Sequence, residues 1–313
     1  NTVYTAAGNN EISNLGNEAI TLDDTTLAIA TLNTLNGNTT GAIDAATVTT
    51  LTGATATINS IYAAGNSEVS GLGNEAITID DTSLAIAALN TLNGNTTGVI
   101  NANTVTTLTG AAATMNTVYT AAGNNEITNL GNEAITLDDT SLAATTLNTL
   151  NDNTTGVVNA ATVTTLTGAY GALNTAYTDA GNNEISNLGN EAITLTANVT
   201  VTEAVTLNNH TSGVITGTIS TGDMTSLAAL TETANVYAIT VTDGSVAASA
   251  LNTLNGKTAG TITATAINTL TGAASDVNTA LTASGINGLG GEAVTLNDTT
   301  IAVATLNDLD DNT

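Results

Sequence analysis

Cysteine, proline, phenylalanine, tryptophan and arginine are all missing from these 313 residues, and each absence removes a class of explanation. Without cysteine there is neither a disulfide framework nor a thiolate metal site. Without Phe or Trp the core has to be thin, built from Ala, Leu, Ile and Val in layers of nearly constant width. Basic side chains are reduced to Lys257 against 27 acidic residues, a formal charge of −26. Nothing can then neutralise a phosphate backbone, which argues against a nucleic-acid partner. Charged residues still make up only 9% of the chain, so its polar surface must be mostly Asn, Thr and Ser. Self-repulsion of so acidic a chain is mild only where the Debye length falls to about 8 Å or less, in a saline or divalent-rich medium. No run approaches the roughly 18 apolar residues of a membrane span, so no membrane insertion is expected.

What is present is repetition. Leu15-Gly-Asn-Glu-Ala-Ile-Thr21 returns at Leu72–Thr78, Leu130–Thr136 and Leu188–Thr194, and in altered form at Leu289–Thr295. The steps between copies are 57, 58, 58 and 101 residues, and the last exceeds the others by close to two short coils. Regular spacing means stacked units that bury their apolar faces against neighbours, so residues 1–313 are read as one continuous solenoid. Its units lie near 15–71, 72–129, 130–187, 188–288 with two extra coils, and 289–313 as a partial copy. The chain opens in mid-repeat, since Asn1–Asn10 matches Asn116–Asn125 without a change. A segment of a longer chain is therefore expected, continuing covalently or by head-to-tail self-association.

Within a unit, Ala19–Leu22 is a short β-prone run, and Leu27, Ala28, Thr31, Leu32 and Leu35 mark one face of a helix. Asp24 and Thr25 supply N-cap chemistry between them, and Asn36-Gly37 ends the helix. Ile43 is a second strand position, 23 residues after Ile20. From Ala45 onward, Val48, Leu51, Ile58, Ile61 and Tyr62 read as a second helix, interrupted at Gly53 and closed at Gly65, before the next strand at Ile77. The expected fold is α/β, a right-handed β/α solenoid with a parallel sheet and coils of about 23 residues alternating with longer ones. An all-β solenoid is the alternative.

The acidic pairs Asp23-Asp24, Asp80-Asp81 and Asp138-Asp139 sit at one point of the coil, where strand gives way to helix. Two readings stand for them. They are helix caps worth roughly 0.5–2 kcal/mol each, or they are hard oxygen ligands for Ca²⁺, joined by loop oxygens near Asp44, Asn101 and Asn159. Neither an EF-hand loop nor a Gly-Gly-x-Gly-x-Asp nonapeptide accompanies them. Glu18, Glu75, Glu133, Glu191 and Glu292 form a second acidic column, suited to capping backbone N–H groups. Tyr4, Tyr62, Tyr119 and Tyr177 form another, with Leu281 in the fifth copy, and read as packed rings with their hydroxyls at the rim. His210 is the only histidine and is expected to face solvent; no nucleophile elbow accompanies it, so no enzyme is expected. Thr47-Val-Thr-Thr50 and Thr200-Val-Thr202 are similar to the hydroxyl arrays of ice-binding solenoids, but the first falls in a predicted helix.

The runs Leu32–Gly41, Ala46–Gly53 and Leu15–Thr21 resemble repeats in giant secreted or cell-surface proteins of marine cyanobacteria, the type associated with swimming motility and surface layers. The resemblance covers the chain apart from roughly 196–237. It implies a secreted, extracellular location at the cell surface and a structural role, and it carries over no functional residues. The expected function is an extracellular structural repeat protein forming a rod or filament. The alternative is an adhesin that recognises polysaccharide or another cell through an Asn/Thr-rich face.

Overall fold

Thr-Leu-Thr-Gly forms a strand wherever it occurs, at Thr50–Gly53, Thr107–Gly110, Thr165–Gly168 and Thr269–Gly272. The Leu of each is fully buried while the flanking Thr side chains stay partly exposed, the period of two that a half-buried strand requires. This corrects the sequence reading, which placed Leu51, Leu108 and Leu166 in helices. The helix begins only at Thr55, after Gly53 turns the chain with φ at +134°. The computed structural model describes residues 1–313 except 10 and 65–67, so the helix end expected at Gly65 lies outside the described residues.

The fold is α/β. Parallel strands alternate with helices in a β/α solenoid-like repeat, and among the described residues every strand pairing is parallel. The chain divides into two compact units, residues 1–139 with 149–162 and 183–186, and residues 140–148 with 163–182 and 187–313. The first unit holds three sheets. One joins Ile20–Thr21, Ile43–Asp44 and Val69–Ser70; the next joins Thr26–Ala28, Thr50–Gly53, Ala76–Ile79, Ile100–Asn101 and Ile127–Thr128. The third joins Ser83–Ala85, Thr107–Gly110, Ala134–Leu137, Val158–Asn159 and Ile185–Ser186.

Register fixes the coil lengths. Ile20 pairs with Ile43 and Ile77 with Ile100, coils of 23 residues, as expected. Ile43 pairs with Val69 and Ile100 with Ile127, longer coils of 26 and 27 residues. Ile77, expected as the successor of Ile43, pairs instead with Leu51. The reason is that each coil carries two strand positions, and the similar Ile-Thr segments do not always fall at the same one. In every second coil a third segment is added: Val69–Ser70, Ala76–Ile79 and Ser83–Ala85 lie in three successive sheets. Within this unit the strand columns thereby step sideways by one sheet per repeat.

The second unit has a seven-stranded sheet running from Ser141–Ala143 to Ile286–Asn287 and a three-stranded sheet of Ser245–Ala247, Thr269–Gly272 and Ala293–Leu296. Its irregular coils use five-residue strands, Ile215–Ile219 and Val236–Thr240, whose paired length keeps the large sheet unbroken. A helix closes each coil, for example Ile86–Asn95 and Ala248–Asn255. Leu32, Leu89, Leu92 and Leu251 are fully buried, as the column pattern predicts, whereas Leu306 in the last helix stays 44% exposed.

Candidate functional site

The segment Leu-Gly-Asn-Glu turns back so that Glu75 takes the Gly73 amide on both carboxylate oxygens, at 3.0 and 2.8 Å. Gly73 has φ of +132°, a conformation that a side chain would strain. Tyr62, on the helix Thr55–Ala64, donates its hydroxyl to the same carboxylate at 2.6 Å. Thr96 Oγ1 donates to the Glu75 carbonyl at 2.8 Å and accepts from the Gly98 amide at 3.0 Å. The set recurs as Gly131, Tyr119 and Thr154 around Glu133, and as Gly189, Tyr177 and Thr211 around Glu191.

All three carboxylates have 0% exposure. A buried carboxylate is tolerated when donors surround it, and here the donors are a neutral amide and a phenol. The tyrosine hydroxyls thus lie inside the coil and not at its rim, because the carboxylate they serve is inside. Burial first, then the adjacent carboxylate, pushes Tyr62, Tyr119 and Tyr177 well above the usual tyrosine range. Among the described residues, Glu292 is held by the Gly290 and Gly291 amides alone, since Leu281 stands in the tyrosine column.

The aspartate pairs do not cap their own helices. A strand, Ser83–Ala85, separates Asp80-Asp81 from the helix Ile86–Asn95, and Thr26–Ala28 likewise separates Asp23-Asp24 from Ile29–Asn38. The second aspartate reaches back to the preceding coil. Asp81 accepts from the Thr55 amide and hydroxyl, both at 2.7 Å, and Asp139 from the Ala112 amide at 2.8 Å. Asp243 and Asp298 do the same for Met224 and Ala274. Capping chemistry is therefore present, but it staples one coil to the next. Asp44, Asn101 and Asn159 each turn Oδ1 onto the amide two residues on, at 3.1, 3.2 and 3.1 Å. Among the described residues, no three His, Asp or Glu side chains converge as a set able to hold a metal ion.

Outward-facing polar side chains form rows. Thr52, Thr78, Asn101 and Thr128 are successive register partners, as are Thr109, Thr136, Asn159 and Ser186. Of the Thr-rich tracts, Thr47-Val-Thr-Thr50 is not helical and enters a strand only at Thr50, whereas Thr200-Val-Thr202 caps and opens the helix Val201–Asn208.

One place breaks the pattern. His210 occupies the position of Asn95 and Asn153, directly before the threonine that bonds the glutamate carbonyl. Asn95 donates to Asn59 at 3.1 Å and Asn153 to Asn116 at 3.3 Å. His210 stacks instead on Tyr177, with ring centroids 5.3 Å apart and planes 2° from parallel. It is half-buried, not solvent-facing as expected, because the tyrosine column offers it an aromatic face. A cleft of about 480 Å³ opens beside it, lined among others by Asn208, Asn209, Ser212, Glu232 and Asn235.

Tyr237 lines a second, much smaller cavity that shares Asn208, Glu232 and Asn235 with that cleft. Its run Tyr237-Ala-Ile-Thr240 repeats Glu75-Ala-Ile-Thr78, and Thr258 Oγ1 donates to its carbonyl at 3.0 Å as Thr96 does to Glu75. A phenol thus stands where the regular copies bury a carboxylate. Its hydroxyl is buried and makes no hydrogen bond of sound geometry among the described residues; burial first, then the nearby charge of Glu232, pushes it up to about 12, with the neighbouring Asn235 side chain acting in the opposite direction. Sequence reasoning passed over this residue; the exchange of Glu for Tyr inside an otherwise intact motif was the available signal. No family model, no curated protein and no solved structure matches this chain.

Proposed function

We propose that this chain is an extracellular structural repeat protein that builds a rod or filament at or beyond the cell surface. One observation carries the reading: the polar side chains specified by the repeat are used to bind coil to coil. Asp81 caps a helix of the preceding coil, and Asn59 donates to the Ala88 carbonyl at 2.9 Å. Asn36 and Asn93 reach Glu68 and Glu126 at 3.0 and 2.9 Å. Carboxylates and amides engaged in this way serve cohesion, which is why a structural role is favoured over an enzyme.

Strand edges supply the route to assembly. Ile20–Thr21 and Ala293–Leu296 each pair on one side only, and Val303 and Leu306 are 73% and 44% exposed. Edges and apolar faces of this kind accept further coils, of the same chain or of another copy stacked head to tail. The acidic, amide-rich surface suits a saline exterior, and Ca²⁺ is the cation proposed to screen it. Light scattering and negative-stain microscopy at moderate salt test the reading. Growth into filaments with rising concentration supports it, and a monodisperse monomer at high concentration removes its basis.

The rows of Thr and Asn favour a second reading, an adhesin. Strands about 4.8 Å apart present a regular lattice of hydroxyl and amide groups to a polysaccharide or another cell. Glycan-array binding that disappears on replacing Thr78 and Asn101 by Ala would carry that alternative.

A further inference from the structure

Three buried side-chain polar atoms lack a partner among the described residues: Asn148 and Asn252 leave only Oδ1 unpaired, since their Nδ2 atoms donate to the Ala172 and Asp276 carbonyls, whereas the third is the one polar group of the Tyr237 side chain. Its hydroxyl has no partner among the described residues although the side chain is only 2% exposed. Beside it is a cavity of about 10 Å³, whose lining residues Asn208, Glu232 and Asn235 also line the larger cleft. That volume is close to the minimum for one water molecule, or for one hydroxyl group of something larger. The short helix Met224–Leu227, four residues where helices of the regular copies have ten or twelve, contributes none of the residues that line it.

The walls of the cleft select against most ligands. Among the described residues no Lys or Arg lines it, since Lys257 donates to the Ala228 carbonyl and stands elsewhere, so an anion meets no permanent counter-charge. Glu232 is the one carboxylate among those lining residues, too few for a hard metal ion. What remains are side-chain amides, hydroxyls and an imidazole already stacked on one face against Tyr177. Amides and hydroxyls fit the donor–acceptor mixture of a neutral polyol, and an aromatic face packs against the C–H face of a sugar ring. Asn235 is held rigid, with Nδ2 on Asn208 at 2.9 Å and Oδ1 on the Ile215 amide at 2.8 Å.

The geometry points to a saccharide site at this interruption of the repeat: a neutral sugar ring lies in the cleft against His210, and one of its hydroxyls enters the small cavity to bond Tyr237. The site goes beyond the structural reading and stands whether or not the chain assembles. It also differs from an adhesin lattice, because it occurs once and not in every coil.

His210 is the only histidine, so its imidazole protons give a single reporter in proton nuclear magnetic resonance. The probes are galactose and N-acetylglucosamine, with glucuronic acid and adenosine as the anionic and heteroaromatic controls. A neutral sugar is expected to displace the His210 signals saturably, with a dissociation constant on the order of millimolar. Tyr237→Phe removes only an unpartnered hydroxyl, so its melting curve should match the parent while sugar binding weakens roughly tenfold. His210→Asn restores the residue of the regular copies and should abolish saturation transfer to the sugar. Absence of saturation with both neutral sugars, a stronger response to glucuronic acid or adenosine, or full binding by Tyr237→Phe would overturn the assignment. Should a variant fold poorly, the titration of the parent chain still decides.

Discussion

Gly98 passes so close over Glu75 that a β-carbon would stand 2.1 Å from the Glu75 carbonyl oxygen. Gly41, Gly156 and Gly213 make the same approach to Glu18, Glu133 and Glu191. Backbone cannot yield as a side chain does, so Gly98→Ala should destabilise by about 3 kcal/mol in urea titration, as overpacking does elsewhere. Gly94 is the control. It lies near the end of the helix Ile86–Asn95 with nothing within 4 Å of the place a β-carbon would take, and Gly94→Ala should instead stabilise by about 0.5–1 kcal/mol. The tyrosines add a pH dependence. Their folded values lie above the ordinary 10.0, so their contribution is complete below that value and is lost as pH rises through the raised folded values. Absorbance from the Tyr62, Tyr119 and Tyr177 tyrosinates should accordingly appear together with alkaline unfolding; their smooth titration in a folded chain would contradict the buried Tyr–Glu pairs.

At the scale of elements, the helices carrying Leu32, Leu89 and Leu147 and the strands at Ile20 and Ile43 were legible because their apolar residues recur at helical or copy-to-copy spacing. Thr50–Gly53 was not. Val48 and Leu51 stand three apart, which mimics a helical stripe, while only Leu51 of the strand is apolar and leaves its period of two almost mute. Gly53 held the missing signal, since its positive φ ends the strand. The aspartate pairs were legible as caps but not as caps of a neighbour, because sequence proximity cannot show a partner 26 or 27 residues away. The position of His210 against Tyr177 was illegible for the same reason. Each coil leans on its neighbours, so Leu92→Asp, which buries an unpaired carboxylate, should cost more than about 4 kcal/mol and remove hydrogen-exchange protection from Ile100–Asn101 and Thr107–Gly110 as well as from its own helix.

At the scale of the whole molecule, charge dominates. With −26 and one lysine, external cations are the main neutralising partners, and any ion that binds the folded chain preferentially stabilises it by mass action. Millimolar Ca²⁺ should raise Tm more than Na⁺ at equal ionic strength; equal effects would leave Asp81 and Asp139 as caps and the rest of the acidic surface to general screening. The inter-coil hydrogen bonds described above also have a mechanical meaning. Within either unit they run along the direction in which coils stack, so tension applied in that direction loads them one rung at a time and not all together. A pulled array should yield as a zipper, at low force and in even increments, each 58-residue copy releasing roughly 200 Å of contour length. A tether of this kind absorbs work repeatedly without ever presenting its full strength at once.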